Sequence, residues 1–191
     1  MFIAEMGGEE FSYSECHIKL AQDDWSFKQA LSLRNQVFVV EQGIFQTSDS
    51  DVFDSTAHTL VATIGLLGIP DAVIGTVRIH EQARGVWMGS RLAVDREYRS
   101  VKGLGKALIK MAVCTAQVQG CQSFYANVQL QNVELFEKLG WNALGTANVH
   151  GVDHMFMQAD LSRYPLDFDP LDGAVHVFRR SGEFSTGGLQ R

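Results

Sequence analysis

The sequence predicts an α+β fold, with flanking helices on one central mixed sheet that is mostly antiparallel, and three observations predict it. Residues 58–94 alternate apolar and polar side chains in three runs separated by short turns, the pattern of a β-meander. Residues 103–120 place Leu104, Ala107, Leu108, Met111, Ala112 and Thr115 at helical spacing between two glycines. A strand-like run from Ser123 to Gln129 follows, so one strand-helix-strand crossover lies at the centre. With 191 residues, 46% hydrophobic and 20% charged, the chain can build one domain with a proper core and leaves little room for a second.

In chain order, His17 to Leu20 is a short first strand. Asp23 or Asp24 then supplies the N-cap of a helix whose apolar positions Phe27, Ala30, Leu31 and Phe38 recur at helical spacing. Leu33, Val37 and Val40 widen that stripe until Gly43 offers a stop. Gln46 to Ser55, rich in Asp and Ser and without periodicity, reads as an acidic loop or a broken short helix. The meander runs from His58 through a turn at Gly68 to Asp71, a second strand from Val73 to His80, and a turn around Ala83 to Gly85. A long third strand, Val86 to Val94, completes it. Beyond Gln129, Asn132 to Leu139 is a short amphipathic helix stopped by Gly140, and Trp141 to Val149 with His154 to Leu161 makes a last hairpin. The organisation expected is one domain over residues 1–164 and an extension over 165–191, in which Ala174 to Phe178 is a modest strand candidate and the last ten or so residues are mobile.

Charge narrows the function. Asp plus Glu number 22 against 16 Lys plus Arg, a formal charge of -6, so the chain lacks the footprint of a nucleic-acid binder. Cys16, Cys114 and Cys121 are too few and too irregular for a disulfide framework or a zinc knuckle. Asp49, Asp51 and Asp54 invite a calcium loop but lack its glycine and terminal glutamate, which leaves solvated loop acids or an electrostatic lure for a cationic amine. No metal is expected. No apolar run approaches the roughly 20 residues of a membrane span, and the N-terminus lacks a signal peptide's basic and apolar regions, so a soluble cytoplasmic protein is expected.

The chemistry concentrates between Leu92 and Leu108. An apolar strand, Leu92-Ala93-Val94, runs into a basic turn, Arg99-Ser100-Val101-Lys102-Gly103, and then into a helix opening Leu104-Gly105-Lys106. Such a junction aims backbone N–H groups and a helix N-terminus at one point, which suits a phosphate. The plainer reading is a strand-to-helix turn with solvated basic residues. The Walker pattern fails because Ala107 follows Gly105-Lys106, and the dinucleotide pattern fails for want of a third glycine.

The stretch resembles the acetyl-CoA pyrophosphate loop of the GNAT N-acetyltransferase superfamily, Gln/Arg-x-x-Gly-x-Gly/Ala, with one extra residue between Arg99 and Gly103. Val128 to Trp141 resembles the same superfamily's later motif, and the segments Leu33 to Gly43, Asp51 to His58 and Gly151 to Met157 resemble one branch of it. Trp87 to Val94 and Gly120-Cys121 are similar to bacterial members associated with nitrilase-type gene clusters and aminoimidazole ribonucleotide synthetase-like domains. The resemblance implies a GNAT fold with a splayed strand pair and acetyl transfer to a small amine in a ternary complex. It implies that Leu92, Ala93 and Val94 pair with pantetheine, that Arg99 to Lys106 cradle pyrophosphate, and that Asn132 and Phe136 line the coenzyme. Phe136 stands where the superfamily often has a tyrosine that protonates the leaving thiolate, and Tyr125 is the nearest substitute. Glu41 and His154 are expected in the acceptor pocket as general base or amine anchor, and Arg78 as the ligand of an acceptor carboxylate. Partners to consider are a homodimer copy and an aminoimidazole ribonucleotide synthetase-like protein. Two alternatives stay open: a catalytically weak acyl-CoA sensor, and an acyltransferase with a longer donor similar to acyl-homoserine lactone synthases.

Overall fold

A computed structural model of the chain describes residues 11–66, 69–166 and 173–181. One eight-stranded sheet has the order β6-β7-β5-β4-β3-β2-β1-β8, formed by β1 (Phe11–Leu20), β2 (His58–Leu66), β3 (Ile69–Ala83), β4 (Val86–Val94), β5 (Ser123–Gln129), β6 (Trp141–Val149), β7 (Val152–Ala159) and β8 (Ala174–Ser181). Neighbouring strands are antiparallel except β4 and β5, which the crossover helix α2 (Leu104–Val118) makes parallel.

Helices cover both faces. On one, α2 buries Leu104, Leu108, Met111, Ala112 and Thr115 against Leu60, Ile74, Phe124 and Met157. On the other, α1 (Asp24–Asn35) and the π-helical turn Gln36–Glu41 bury Ala30, Leu33, Val37 and Phe38 against Val61, Val73 and Ala93. This double cover explains why Leu60, Val61 and Ala62 are all buried, where a one-sided sheet would alternate. Asp23 is the α1 cap, accepting from the Ser26 N–H at 2.8 Å. The buried stripe of α1 is displaced from the one expected: Phe27 and Leu31 face outward, while Arg34 points in with 1% exposure.

Most element limits agree with the sequence reading. β4, β5 and β6 begin and end where expected. β1 is six residues longer at its start, β3 extends to both sides of Val73–His80, and β7 occupies Val152–Ala159 rather than 154–161. Of the Gly68–Asp71 turn, Gly68 lies outside the described residues and Ile69–Asp71 belong to β3. The 46–57 loop contains one short 3-10 turn, Val52–Ser55, capped by Asp51. The Ala174 candidate is real: β8 pairs with β1 along its whole length, so part of the extension is sheet. Residues 182–191, expected to be mobile, lie outside the described residues. None of the described helices is long and apolar enough to cross a membrane.

Candidate active site

The parallel pair β4–β5 is bonded only from Val86 to Gly89 and from Ser123 to Ala126. Beyond that point both strands continue without pairing to each other, and the sheet opens into a wedge. A bulge causes the divergence. Between Ser90, opposite Arg78, and Ala93, opposite Thr76, β4 carries Arg91 at φ 53°, in the left-handed region that residues other than glycine seldom adopt.

Two cavities meet in this wedge, sharing Gln42, Leu92, Gln129, Asn132 and Phe136. The larger, about 530 Å³, runs from Leu92, Ala93 and Val94 along the turn Arg99–Lys106. Gly103 takes φ 89° at the N-cap of α2, and the N–H groups of Gly105 and Lys106 find no backbone carbonyl among the described residues. A Cβ on Gly105 would meet nothing within 4 Å, so its open side faces the groove. Free N–H donors at the start of a 15-residue helix, with Arg99, Lys102 and Lys106 nearby, are a receptor for an anion. From behind, Nε2 of His176 on β8 lies 3.2 Å from the Lys102 carbonyl, so the C-terminal strand buttresses the loop.

The smaller cavity, about 230 Å³, has walls of Phe38, Val77, Met88, Phe124, Val128 and Trp141, and besides the shared amides of Gln42, Gln129 and Asn132 its polar groups are His80, Ser90, Arg91, Asn127 and His154. His154, 8% exposed, places Nδ1 2.8 Å from the Val152 carbonyl oxygen. A carbonyl only accepts, so Nδ1 carries the proton, and in the neutral ring the lone pair sits on Nε2. His80 stacks on Phe53 with ring centroids 4.3 Å apart, and its Nδ1 is buried without a partner. Burial, and then the nearby Arg78, push its pKa below the ordinary histidine value, so this imidazole is neutral at neutral pH.

Three of the expected site residues stand elsewhere. Glu41 is not on the acceptor cavity: it ends the π-helical turn and pairs with Arg99, Oε2 to Nη2 at 2.6 Å, while Arg99 Nε donates to the Val94 carbonyl. Arg78 is not available to an acceptor. It is 2% exposed, bidentate on Asp51 at 2.6 and 2.8 Å, bonded to Asp54 at 2.8 Å, and donates from Nε to Ser90 Oγ at 3.0 Å. Tyr125 shares a sheet face with Met88 and Asn127 but stacks on Phe156 at 5.3 Å and lines neither cavity. Burial pushes the thiols of Cys16 and Cys121 up to about 11, far from a nucleophile's range.

The feature that sequence reasoning missed is a closed ring of six charges. Arg34 binds Asp49 and Asp54, Arg78 binds Asp54 and Asp51, and Arg91 binds Asp51 and Asp49, at 2.6–3.1 Å. The aspartates are therefore neither solvated acids nor a lure for a cation, because each lies between two arginines. Burial lowers the pKa of Arg34 and Arg78, the carboxylates more than offset it, and both stand above the ordinary value. Burial likewise raises Asp51 and Asp54, and the guanidinium partners outweigh it and hold both below the usual carboxylate range. The ring fixes the 46–57 loop over the sheet and Arg91 in its bulge. Its sequence signal is weak, since three arginines on three different elements meet three acids of one loop. No group of three or more His, Cys, Asp or Glu side chains among the described residues is placed to hold a metal.

Phe136 is buried at 7% exposure, borders both cavities and meets Trp141 edge-on at 5.0 Å. If the chain performs the acetyl transfer that the sequence resemblance implies, Phe136→Tyr is expected to leave turnover within about twofold, because a thiolate leaving group needs no acid; general acid catalysis would be worth roughly 10² or more. Steady-state thiol release measures it, and a gain approaching that factor would make the native chain a binding module.

Residues 55–143 match the family model of the acetyltransferase (GNAT) domain. The chain is similar to the uncharacterized N-acetyltransferase YjcF of Bacillus subtilis (strain 168), 25% identical over 143 residues that span 74% of this chain and 97% of that protein. Among solved structures, a candidate N-acetyltransferase from Lactobacillus plantarum superposes with a TM-score of 0.68 at 26% identity, over 76% of this chain and 98% of its own. Escherichia coli ElaA shares the fold, with a TM-score of 0.62 at 18% identity over 79% of this chain and all of its own. The matched domain and these relatives support an acyltransferase, and the fold is the one that GNAT proteins share.

Proposed function

We propose that the protein moves an acetyl group from acetyl-CoA to a small primary amine by direct attack within the wedge. The observation that carries this reading is the junction of an anion-receiving loop and a small acceptor cavity through one opening between β4 and β5. Acetyl-CoA supplies an activated thioester. The N–H groups of Gly105 and Lys106, with Lys102, hold its pyrophosphate, and the unpaired edge of β4 from Ser90 to Val94 offers backbone donors and acceptors to its arm. A β4 N–H directed at the thioester carbonyl stabilises the negative charge that develops there. Nε2 of His154 removes the proton from the attacking amine as the C–N bond forms and the C–S bond breaks. At about 230 Å³ the acceptor cavity lies below the roughly 300–1,000 Å³ of drug-sized sites, which favours a small acceptor.

Gly105→Asp tests the coenzyme assignment. The site has room for the side chain, so the variant should fold, and the new carboxylate occupies the anion's place. Acetyl-CoA at a hundredfold excess over its Kd is expected to stabilise the native chain by about 2.7 kcal/mol in a thermal melt. The variant should show no shift. A native melting curve unmoved by millimolar acetyl-CoA would remove both the transferase and the acyl-CoA sensor readings.

A further inference from the structure

We propose that Arg91 anchors a carboxylate on the acceptor, so that the site selects small amino acids over amines that lack an acid group. The inference rests on the acetyl-transfer reading above and names the acceptor class for the same cavity. Among the described residues that line it, Arg91 is the one Arg, Lys, Asp or Glu side chain. Nε and Nη2 are engaged by Asp49 and Asp51, at 2.7–3.1 Å, and one face of the guanidinium lies 4.8 Å from the centre of the Phe45 ring. Nη1 has no hydrogen-bond partner among the described residues, and the side chain keeps 13% of its surface exposed. The role expected of Arg78 thus falls to the arginine of the same ring that still has N–H donors to offer.

Neighbouring groups agree with a zwitterionic ligand. Ser90 Oγ accepts from Arg78 Nε, which leaves its own proton as a second donor beside Arg91. Across the wedge, His154 presents an imidazole lone pair from β7. The cavity therefore has donors on the β4 side and a proton acceptor on the β7 side, with the opening to the thioester between them. Among the described residues no carboxylate lines it, so it lacks the negative charge that a polyamine would need. Rigidity favours recognition as well, since the ring and the Phe45 contact hold the guanidinium before any ligand arrives.

Product analogues test this directly. Calorimetry would titrate the N-acetyl derivatives of glycine, alanine, methionine, β-alanine and 4-aminobutyrate, each against its primary carboxamide, into the full chain saturated with coenzyme A. At least one acid is expected to bind about 10-fold to 100-fold tighter than its amide, the value of charge-assisted hydrogen bonds. Arg91→Gln should bring that ratio to about one without changing the affinity for coenzyme A. If no acid outbinds its amide, or if Arg91→Gln keeps the preference, the assignment is overturned. Should Arg91→Gln fail to fold, the wild-type ratio decides alone. Titration of coenzyme A by itself reports the other groove, so its failure would sink the transfer reading, whereas intact coenzyme binding with no acid preference sinks only the Arg91 anchor.

Discussion

Turnover of an identified acceptor is expected to fall by about 10² to 10⁴ when His154 becomes alanine, while acetyl-CoA binding stays unchanged. The size follows from the work removed. At neutral pH an amine is mostly protonated, and the nitrogen that attacks must lose a proton before or during bond formation. The Val152 carbonyl fixes the His154 tautomer with the lone pair on Nε2, and the ring is buried in the acceptor cavity, so a water molecule that takes its place is neither oriented nor as basic. Glu41→Gln should behave differently. Its carboxylate holds Arg99 beside the coenzyme groove, so its loss acts on the coenzyme affinity and leaves the chemical step alone. Single-turnover rates for both variants separate these effects. If His154→Ala keeps the native rate, the assignment of His154 as the base is overturned.

Asp54→Asn is expected to destabilise the fold by about 3–5 kcal/mol, toward the lower end because Asp54 retains 21% exposure. The variant leaves Arg34 and Arg78, 1% and 2% exposed, each with one carboxylate partner lost. The pH dependence has a definite sign. Asp51 and Asp54 have folded pKa values below the unfolded value of about 3.9, so their contribution is complete above that pH and disappears as the pH falls through the lowered folded values. Urea unfolding between pH 7 and pH 2.5 should show that loss in the native chain and a flatter acid limb in Asp54→Asn. A cost below about 1 kcal/mol would mean that the ring does not hold the loop.

What was legible in the sequence was whatever depends on neighbours along the chain. Alternation over 58–94, the α2 stripe between Gly103 and Gly120, and the glycine stop before Trp141 gave the elements and their order. The anion loop was visible because its parts, strand end, basic turn and helix start, are consecutive. The same held for Phe136, whose packing beside both cavities follows from its place in a short amphipathic helix. Of the smaller cavity's own polar groups only His154 was anticipated. Its groups come from β3, β4, β5 and β7, and no spacing connects His80, Arg91, Asn127 and His154.

By itself, then, the sequence determined an α+β domain with one parallel crossover, the basic strand-to-helix turn at one end of the wedge, and a phenylalanine at position 136. Only the tertiary structure decided which charges meet. Arg34, Arg78 and Arg91 are unremarkable one at a time, and a helical arginine on an apolar stripe looks like a surface residue until three aspartates of the 46–57 loop are brought over it. Local patterning records how each element turns, because side-chain direction repeats with the helical or strand period. It carries no information on which distant group will neutralise a buried ion, because that pairing is set by desolvation and Coulomb attraction once the sheet has closed. That pairing holds Arg91, φ 53°, at the bulge beyond which β4 and β5 no longer pair.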